Sequence, residues 1–297
     1  MDHPAPRIPT FSDMAFDLYG PMIPTRPVVI SVPHAGRDYD AALIGAARVQ
    51  LPILRRLEDR WVDLLAHPLI ARGFTVLVAR APRAMIDLNR HEREIDPGMI
   101  ADLPRHVTLQ SSAKLRGGLG LFPRRLAGAH DLWRGPMPWA EAHRRIETVH
   151  RPYHMAISRL LTAAHQAHGH AILIDLHSMP PLSPPAAGQP APDMVLGDRF
   201  GRSATGRLMT LAADVAAGHD LNVTQNHPYA GDHLIERHGR PEQGMHAMQM
   251  EIDRRLYLDL AMDGPGAGLA RMQRIVTRIA EAMAAELPRS GYALAAE

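Results

Sequence analysis

The sequence predicts an α/β protein, a sandwich built on a largely parallel or mixed sheet. Short apolar runs rich in β-branched residues alternate along the chain with longer segments in which apolar residues recur at helical spacing. This alternation is typical of a sheet covered by helices. The composition, with 46% hydrophobic and 22% charged residues, excludes a disordered or collagen-like chain.

Four short apolar runs rich in β-branched residues predict buried strands at 28–32, 74–78, 171–176 and 248–252. Two weaker signals of the same kind lie at 85–88 and 194–196. Apolar residues at helical spacing predict helices at 41–65, 139–168, 203–217 and 268–285.

Two segments rich in Gly or Pro, 111–137 and 182–193, predict irregular structure. Because 182–193 closely follows a strand, we interpret it as a mobile active-site loop rather than a linker. We find no internal repeat and no convincing domain boundary. We therefore expect one domain over 1–297, with a core at about 25–262 and a C-terminal helix at about 265–287.

Charge and cysteine content narrow the possible functions. The net charge is only +2, and all 33 basic residues except Lys114 are arginines scattered along the chain, so no basic stripe indicates a nucleic-acid partner. The absence of cysteine excludes disulfides, thiolate nucleophiles and Cys-ligated metals. Residues 1–16 lack an apolar signal-peptide core and no 18 apolar residues run together, so we expect a cytoplasmic protein without a membrane partner. The sequence leaves the oligomeric state open.

Polar side chains follow or interrupt the predicted strands. In open α/β sheets, ligands gather beyond the carboxyl ends of strands, which makes these side chains candidates for a site. They are His34, Arg83 with Asn89 and Arg90, His177, and Glu251. A catalytic zinc ion takes three ligands from His, Asp or Glu, a further carboxylate transfers the proton of a water molecule, and an arginine suits a substrate carboxylate.

Simpler interpretations exist for single residues. A lone histidine at a strand end is more often a hydrogen-bonded structural residue, and Asp175 or Asn89 could cap a turn. Asp59 and Asp63, four residues apart, would ordinarily share the solvated face of a helix. His165, His168 and His170 would lie at the surface near a helix end.

The ordered set of short motifs resembles the N-formylglutamate amidohydrolase family over about residues 28–260. The family is itself similar to the zinc carboxypeptidase and aspartoacylase group, which implies a three-layer α/β/α sandwich with a mixed, mostly parallel sheet of zinc-exopeptidase type. The matching motifs are Pro33-His34-Ala35-Gly36, Glu58-Asp59-Arg60-Trp61, Asp87-Leu88-Asn89-Arg90, Gly118-Leu-Gly-Leu-Phe-Pro123, Arg151-Pro-Tyr-His154, Asp175-Leu176-His177-Ser178, Gly239-Arg-Pro241 and His246-Ala-Met-Gln-Met-Glu251.

The resemblance implies a role for each candidate. His34 and His177 would be ligands of one Zn²⁺ per chain, Glu251 the general base, and Arg83 a group that stabilises the oxyanion or binds a second carboxylate. Asn89 and Arg90 would bind the substrate carboxylate. Arg37 stands where the carboxypeptidase group has a glutamate ligand, so the third ligand would be Asp59, with Asp63 and Asp38 as alternatives. Arg237 and His238 lie where the family has an Arg-His-Tyr-Gly run and are further substrate-binding candidates.

The implied reaction is zinc-dependent hydrolysis of N-formyl-L-glutamate to formate and L-glutamate in histidine breakdown. Two alternatives remain at this point. One is a related metallo-hydrolase acting on other N-acyl amino acids or short peptides. The other is a non-catalytic protein of the same fold that binds carboxylated ligands or nucleic acid.

Overall fold

A computed structural model of the chain describes residues 15–286, except residues 127, 129, 130 and 187. The signal-peptide prediction concerned residues 1–16, and of these residues 1–14 lie outside the described residues. None of the helices in the described part of the chain is long and apolar enough to cross a membrane.

The described residues form a mixed sheet with helices, so the predicted α/β class is confirmed. The strands are β1 (Phe16–Tyr19), β2 (Val28–Val32), β3 (Thr75–Ala79), β4 (Ala171–Met179), β5 (Met194–Gly197), β6 (Val223–Gln225) and β7 (Met245–Asp253). The helices are α1 (Ala41–Ala46), α2 (Leu51–Leu54), α3 (Asp63–Ile70), α4 (Ala113–Arg116), α5 (Trp139–Arg145), α6 (Arg151–His168), α7 (Gly206–Ala217), α8 (His233–His238) and α9 (Leu269–Ala285).

The seven strands lie in the order β1-β3-β2-β4-β7-β5-β6. β4 pairs in parallel with both β2 and β7, and β5 pairs in parallel with β6. β5 runs antiparallel to β7. The central strands β2 and β4 are buried along their whole length, which explains why their sequences are mainly apolar.

All four strongly predicted strands exist, as does the weaker one at 194–196. The weak prediction at 85–88 is wrong. Pro82 begins a turn there, with the amide of Met85 donating to the carbonyl of Pro82 at 2.8 Å, and the side chain of Asp87 accepts the amide of Asn89. Two strands at the sheet edges, β1 and β6, were not predicted, because they are short and only partly buried.

The predicted helix at 41–65 is wrong in its continuity. It is divided into α1, α2, a 3₁₀ turn over Arg55–Leu57 and the start of α3. Glu58 is extended and Trp61 has a φ of 55°, so the backbone leaves the helical region between the pieces. Asp59 and Asp63 consequently do not share a helix face, and both are buried rather than solvated.

The other predicted helices are present. The segment 139–168 is helical throughout, with a π-helical turn at Ile146–His150 between α5 and α6. The described parts of 182–193 and 111–137 are irregular as predicted, apart from the short helix α4 in the second segment. The surface prediction for 165–170 is wrong for His170, which is buried.

The chain divides into two compact units. The first comprises the described parts of Met1–Tyr19, Val32–Asp59 and Leu77–Ala156, and its core includes an edge-to-face contact between Phe16 and Tyr153. The second comprises Gly20–Ser31, Arg60–Val76 and the described part of Ile157–Glu297. In it, α9 packs against α3 and α7. The single domain stays a prediction.

Candidate active site

The segment after β2 carries His34 in a turn that only glycine permits. A Cβ atom on Gly36 would lie 2.0 Å from the carbonyl oxygen of Ala81, far inside van der Waals contact. The backbone therefore passes directly against the segment after β3. Since any larger side chain would push these two segments apart, Gly36 determines where His34 is held.

His34 is 3% exposed and contacts two aspartates. Its Nε2 hydrogen-bonds Oδ1 of Asp87 at 2.8 Å, and its Nδ1 lies 3.5 Å from Oδ2 of Asp59. The backbone amide of Asp59 donates to the carbonyl of His34 at 3.0 Å, which holds the two residues together. Because an ionised carboxylate only accepts hydrogen bonds, the contact with Asp87 favours the tautomer of His34 that carries a proton on Nε2.

Asp87 is a fully buried carboxylate surrounded by donors. Its Oδ2 accepts Nε of Arg83 at 2.8 Å, and its Oδ1 also accepts the amide of Asn89 at 2.9 Å. Burial by itself raises the pKa of Asp87, but the nearby Arg83, His34 and Arg90 outweigh burial and hold that pKa well below its usual range. Asp87 is therefore a permanent negative charge behind His34.

Arg90 is buried and held by its own backbone surroundings. Its Nε donates to the carbonyl of Leu119 at 2.9 Å, and its Nη1 donates to the carbonyl of Asn89 at 2.6 Å. The guanidinium plane is thus oriented before any ligand binds. A planar donor group in a dry, fixed position suits bidentate binding of a carboxylate.

Four polar side chains share one face of β4 and β7. The parallel register pairs Asp175 with Gln249 and His177 with Glu251, and residues two apart on a strand lie on the same face. Nε2 of His177 hydrogen-bonds Oδ2 of Asp175 at 2.9 Å, and Oδ1 of Asp175 accepts the hydroxyl of Ser31 at 3.3 Å. His177 therefore has the same arrangement as His34, with Nε2 bound to a buried aspartate.

Each compact unit carries buried side chains of the types that bind metal ions. The first unit carries His34 with Asp59, and His150 with His154, and the second carries His177 and His233.

The predicted ligands His34, Asp59 and His177 suit zinc by their chemistry. Histidines that bind metals almost always donate their second ring N–H to a carboxylate or carbonyl, and His34 and His177 contact Asp87 and Asp175 in this way. Two imidazoles and one carboxylate are a common ligand set of catalytic zinc.

The remaining predicted residues lie in varied surroundings. Asp63 is buried in the first turn of α3, and Asp38 is exposed. In α8, Arg237 is exposed and His238 is buried, with Nδ1 of His238 3.5 Å from the hydroxyl of Ser158. The roles assigned to individual residues stay predictions.

Sequence reasoning missed a histidine pair beside the Asn89 segment. Nε2 of His150 donates to the carbonyl of Arg90 at 2.8 Å, and Nε2 of His154 donates to the carbonyl of Leu88 at 3.0 Å. The two rings lie 4.4 Å apart and fix the backbone on both sides of Asn89. Two signals in the sequence point to them. His154 ends the Arg151-Pro-Tyr-His154 motif, and a spacing of four residues at the junction of the π-helical turn and α6 places both histidines on one face.

Comparison with known proteins points to one family. Residues 26–258 match the family model of N-formylglutamate amidohydrolase. The chain is 31% identical over 263 residues to N-formylglutamate deformylase of Pseudomonas aeruginosa, covering 85% of this chain and 90% of that protein. It is 30% identical over 248 residues to N-formylglutamate deformylase of Pseudomonas putida, covering 78% and 82%.

Solved structures agree with this. The fold matches a crystal structure of N-formylglutamate amidohydrolase from Ralstonia eutropha JMP134 with a TM-score of 0.83 and 33% identity, covering 91% of this chain and 96% of that one. A gene product of Agrobacterium tumefaciens, at 18% identity and a TM-score of 0.62, shares the fold.

Proposed function

The chain belongs to the N-formylglutamate amidohydrolase family and is an amidohydrolase, and we propose that it hydrolyses N-formyl-L-glutamate to formate and L-glutamate. The relatives named for this reaction support the substrate. We place the reaction in the breakdown of histidine, in the cytoplasm.

The observation that carries the proposal is the pairing of both histidines with buried aspartates. Asp87 and Asp175 hydrogen-bond Nε2 of His34 and His177, so Nδ1 of each ring would be the ligand atom, and Asp59 adds a carboxylate near Nδ1 of His34. These three residues would hold one Zn²⁺ per chain. When bound, zinc polarises a carbonyl and lowers the pKa of a water molecule.

Glu251 would act as the general base. Its carboxylate takes a proton from water as the water oxygen bonds to the formyl carbon, and it then gives that proton to the amide nitrogen as the C–N bond breaks. Glu251 is half-buried, and it lies opposite His177 in the strand ladder. Its neighbours Met250 and Ile252 are buried, and a carboxylate between them requires polar partners.

The arginines would recognise the charged substrate. Arg90, with Asn89, would bind a carboxylate of the glutamate, because its guanidinium is already oriented by the carbonyls of Leu119 and Asn89. Arg83 would stabilise the negative charge that develops on the formyl oxygen or bind a second carboxylate. Arg237 and His238 are further candidates for substrate binding.

The test is a hydrolysis assay that measures formate release from N-formyl-L-glutamate, beside N-acetyl-L-glutamate and N-formyl amino acids with other side chains. We expect N-formyl-L-glutamate to have the highest kcat/KM, and about one zinc per chain by elemental analysis. His177→Ala should lose the metal. Glu251→Gln should keep it and lose turnover by orders of magnitude.

Each outcome has a matching refutation. A higher kcat/KM for N-acetyl-L-glutamate, or for an N-formyl amino acid with another side chain, would show that the proposed substrate is wrong. A His177→Ala variant with full metal content would remove His177 from the ligand set. Normal turnover in Glu251→Gln would remove Glu251 as the base.

A further inference from the structure

We propose that Gln249 is a positioning residue that orients the carboxylate of Glu251 for proton transfer. The inference rests on the proposed function, since it requires Glu251 to be the base. Gln249 is only 3% exposed and lies two residues before Glu251 on the same face of β7. The sequence motifs assigned it no role, although it lies inside the His246-Ala-Met-Gln-Met-Glu251 match.

A chain of hydrogen bonds fixes which end of the Gln249 amide faces the carboxylate. The backbone amide of Asp232, just before α8, donates to Oε1 of Gln249 at 3.2 Å. Nε2 of Gln249 then donates to Oε1 of Glu251 at 2.9 Å. Rotating the amide by 180° would set its oxygen against the carboxylate and its NH₂ group against the amide of Asp232, so both contacts would become repulsive.

The hydrogen bond controls the direction of the base. A glutamate side chain has three rotatable bonds and a carboxylate that turns broadly about the last of them. Holding Oε1 at a fixed donor determines where Oε2 lies. A displacement of a reacting group by about 1 Å costs about 100-fold in rate, so a restraint on the Glu251 carboxylate would raise kcat.

His177 and Glu251 are each held by the side chain two residues earlier on the same strand, His177 by an acceptor and Glu251 by a donor. His177 has a partner two residues earlier, Asp175, which accepts from its ring. Glu251 has a partner two residues earlier, Gln249, which donates to its carboxylate. An imidazole with a proton to donate requires an acceptor, whereas a carboxylate requires a donor.

Gln249→Met, an apolar residue of similar length, removes the donor to Glu251 without adding a charge. We expect kcat for N-formyl-L-glutamate to fall about 10- to 100-fold, with KM within about twofold and zinc content unchanged. Gln249→Glu keeps the shape and still accepts the amide of Asp232, but its carboxylate repels that of Glu251 instead of donating to it. It should lose kcat similarly and also lower the thermal unfolding midpoint. Gln225→Met, at an exposed strand position, is the matched control and should behave as wild type.

A double variant tests whether Gln249 acts through Glu251. If it does, Gln249→Glu combined with Glu251→Gln should be no slower than Glu251→Gln alone, because the group being oriented is already gone. Wild-type kcat in both Gln249 variants, or a multiplicative loss in the double variant, would overturn the inference while leaving the base assignment intact. Normal turnover in Glu251→Gln alone would refute the base assignment and this inference together.

Discussion

Replacing Asp87 by asparagine removes a buried charge on which two arginines and a histidine converge. The new amide side chain would match the size of the native one, but it would leave Arg83 and Arg90 without their shared anion. The side chain of Arg83 is 17% exposed and that of Arg90 is 3% exposed, so water can compensate only partly. Breaking a buried ion pair from one side costs about 3–5 kcal/mol, and we expect about 3 kcal/mol because asparagine keeps one acceptor.

The same substitution should also weaken metal binding. Asp87 orients His34 and leaves its Nδ1 as the ligand atom, and loss of such a carboxylate typically lowers metal affinity about 10- to 100-fold. Urea unfolding of the metal-free protein measures the first effect, and a competitive zinc titration of the folded protein measures the second. Because an asparagine can turn either its oxygen or its NH₂ group towards His34, it no longer enforces one tautomer of the ring.

Asp131→Asn is the matched control. Asp131 also accepts from two arginines, Arg124 and Arg125, but at the surface, so its loss should leave the unfolding midpoint almost unchanged. An Asp87→Asn protein as stable as wild type would show that the buried pairs contribute no stability. A destabilised variant with wild-type zinc affinity would refute the argument that Asp87 orients His34.

Two further predictions concern a tight turn and a buried histidine. Gly36→Ala should destabilise the protein by at least about 2 kcal/mol in urea unfolding, because its Cβ would meet a carbonyl oxygen at 2.0 Å. The control Gly45→Ala lies in open space within α1 and should be neutral or stabilising. Equal effects of the two substitutions would refute the close approach at Gly36. Burial, with His170 nearby, lowers the pKa of His246 from 6.5 to about 4. The unfolded chain therefore takes up this proton first, and stability present above about pH 6.5 is lost as pH falls towards about 4. Between pH 7 and pH 4.5, the free energy of unfolding of His246→Gln should fall by about 2 kcal/mol less than that of wild type, a figure reduced for the partial exposure of His246. Equal decreases in the two proteins would contradict this.

The strands of the sheet centre could be predicted from sequence because their signal is local. β2 and β4 are buried along their whole length, and their buried Val, Ile and Leu residues show in the sequence as mainly apolar runs. The edge strands β1 and β6 have no such signal. The segment 41–65 shows the opposite error, since its helical spacing continues across a break that depends on distant contacts. The amide of Asp59 bonds the carbonyl of His34 instead of a helical partner.

By itself, the sequence determined the fold class, the family and the main candidates His34, His177 and Glu251, because each candidate lies in or directly after an apolar run that any reader of the chain can find. The tertiary structure alone decided what each candidate is bonded to. Asp87 lies 53 residues from His34, and the direction of the Gln249 amide depends on a backbone N–H from another element. Hydrogen bonds of this kind depend on distances between atoms that are remote in sequence. Residue spacing could therefore identify the acidic and basic groups, but only packing determined their tautomers, charges and orientations.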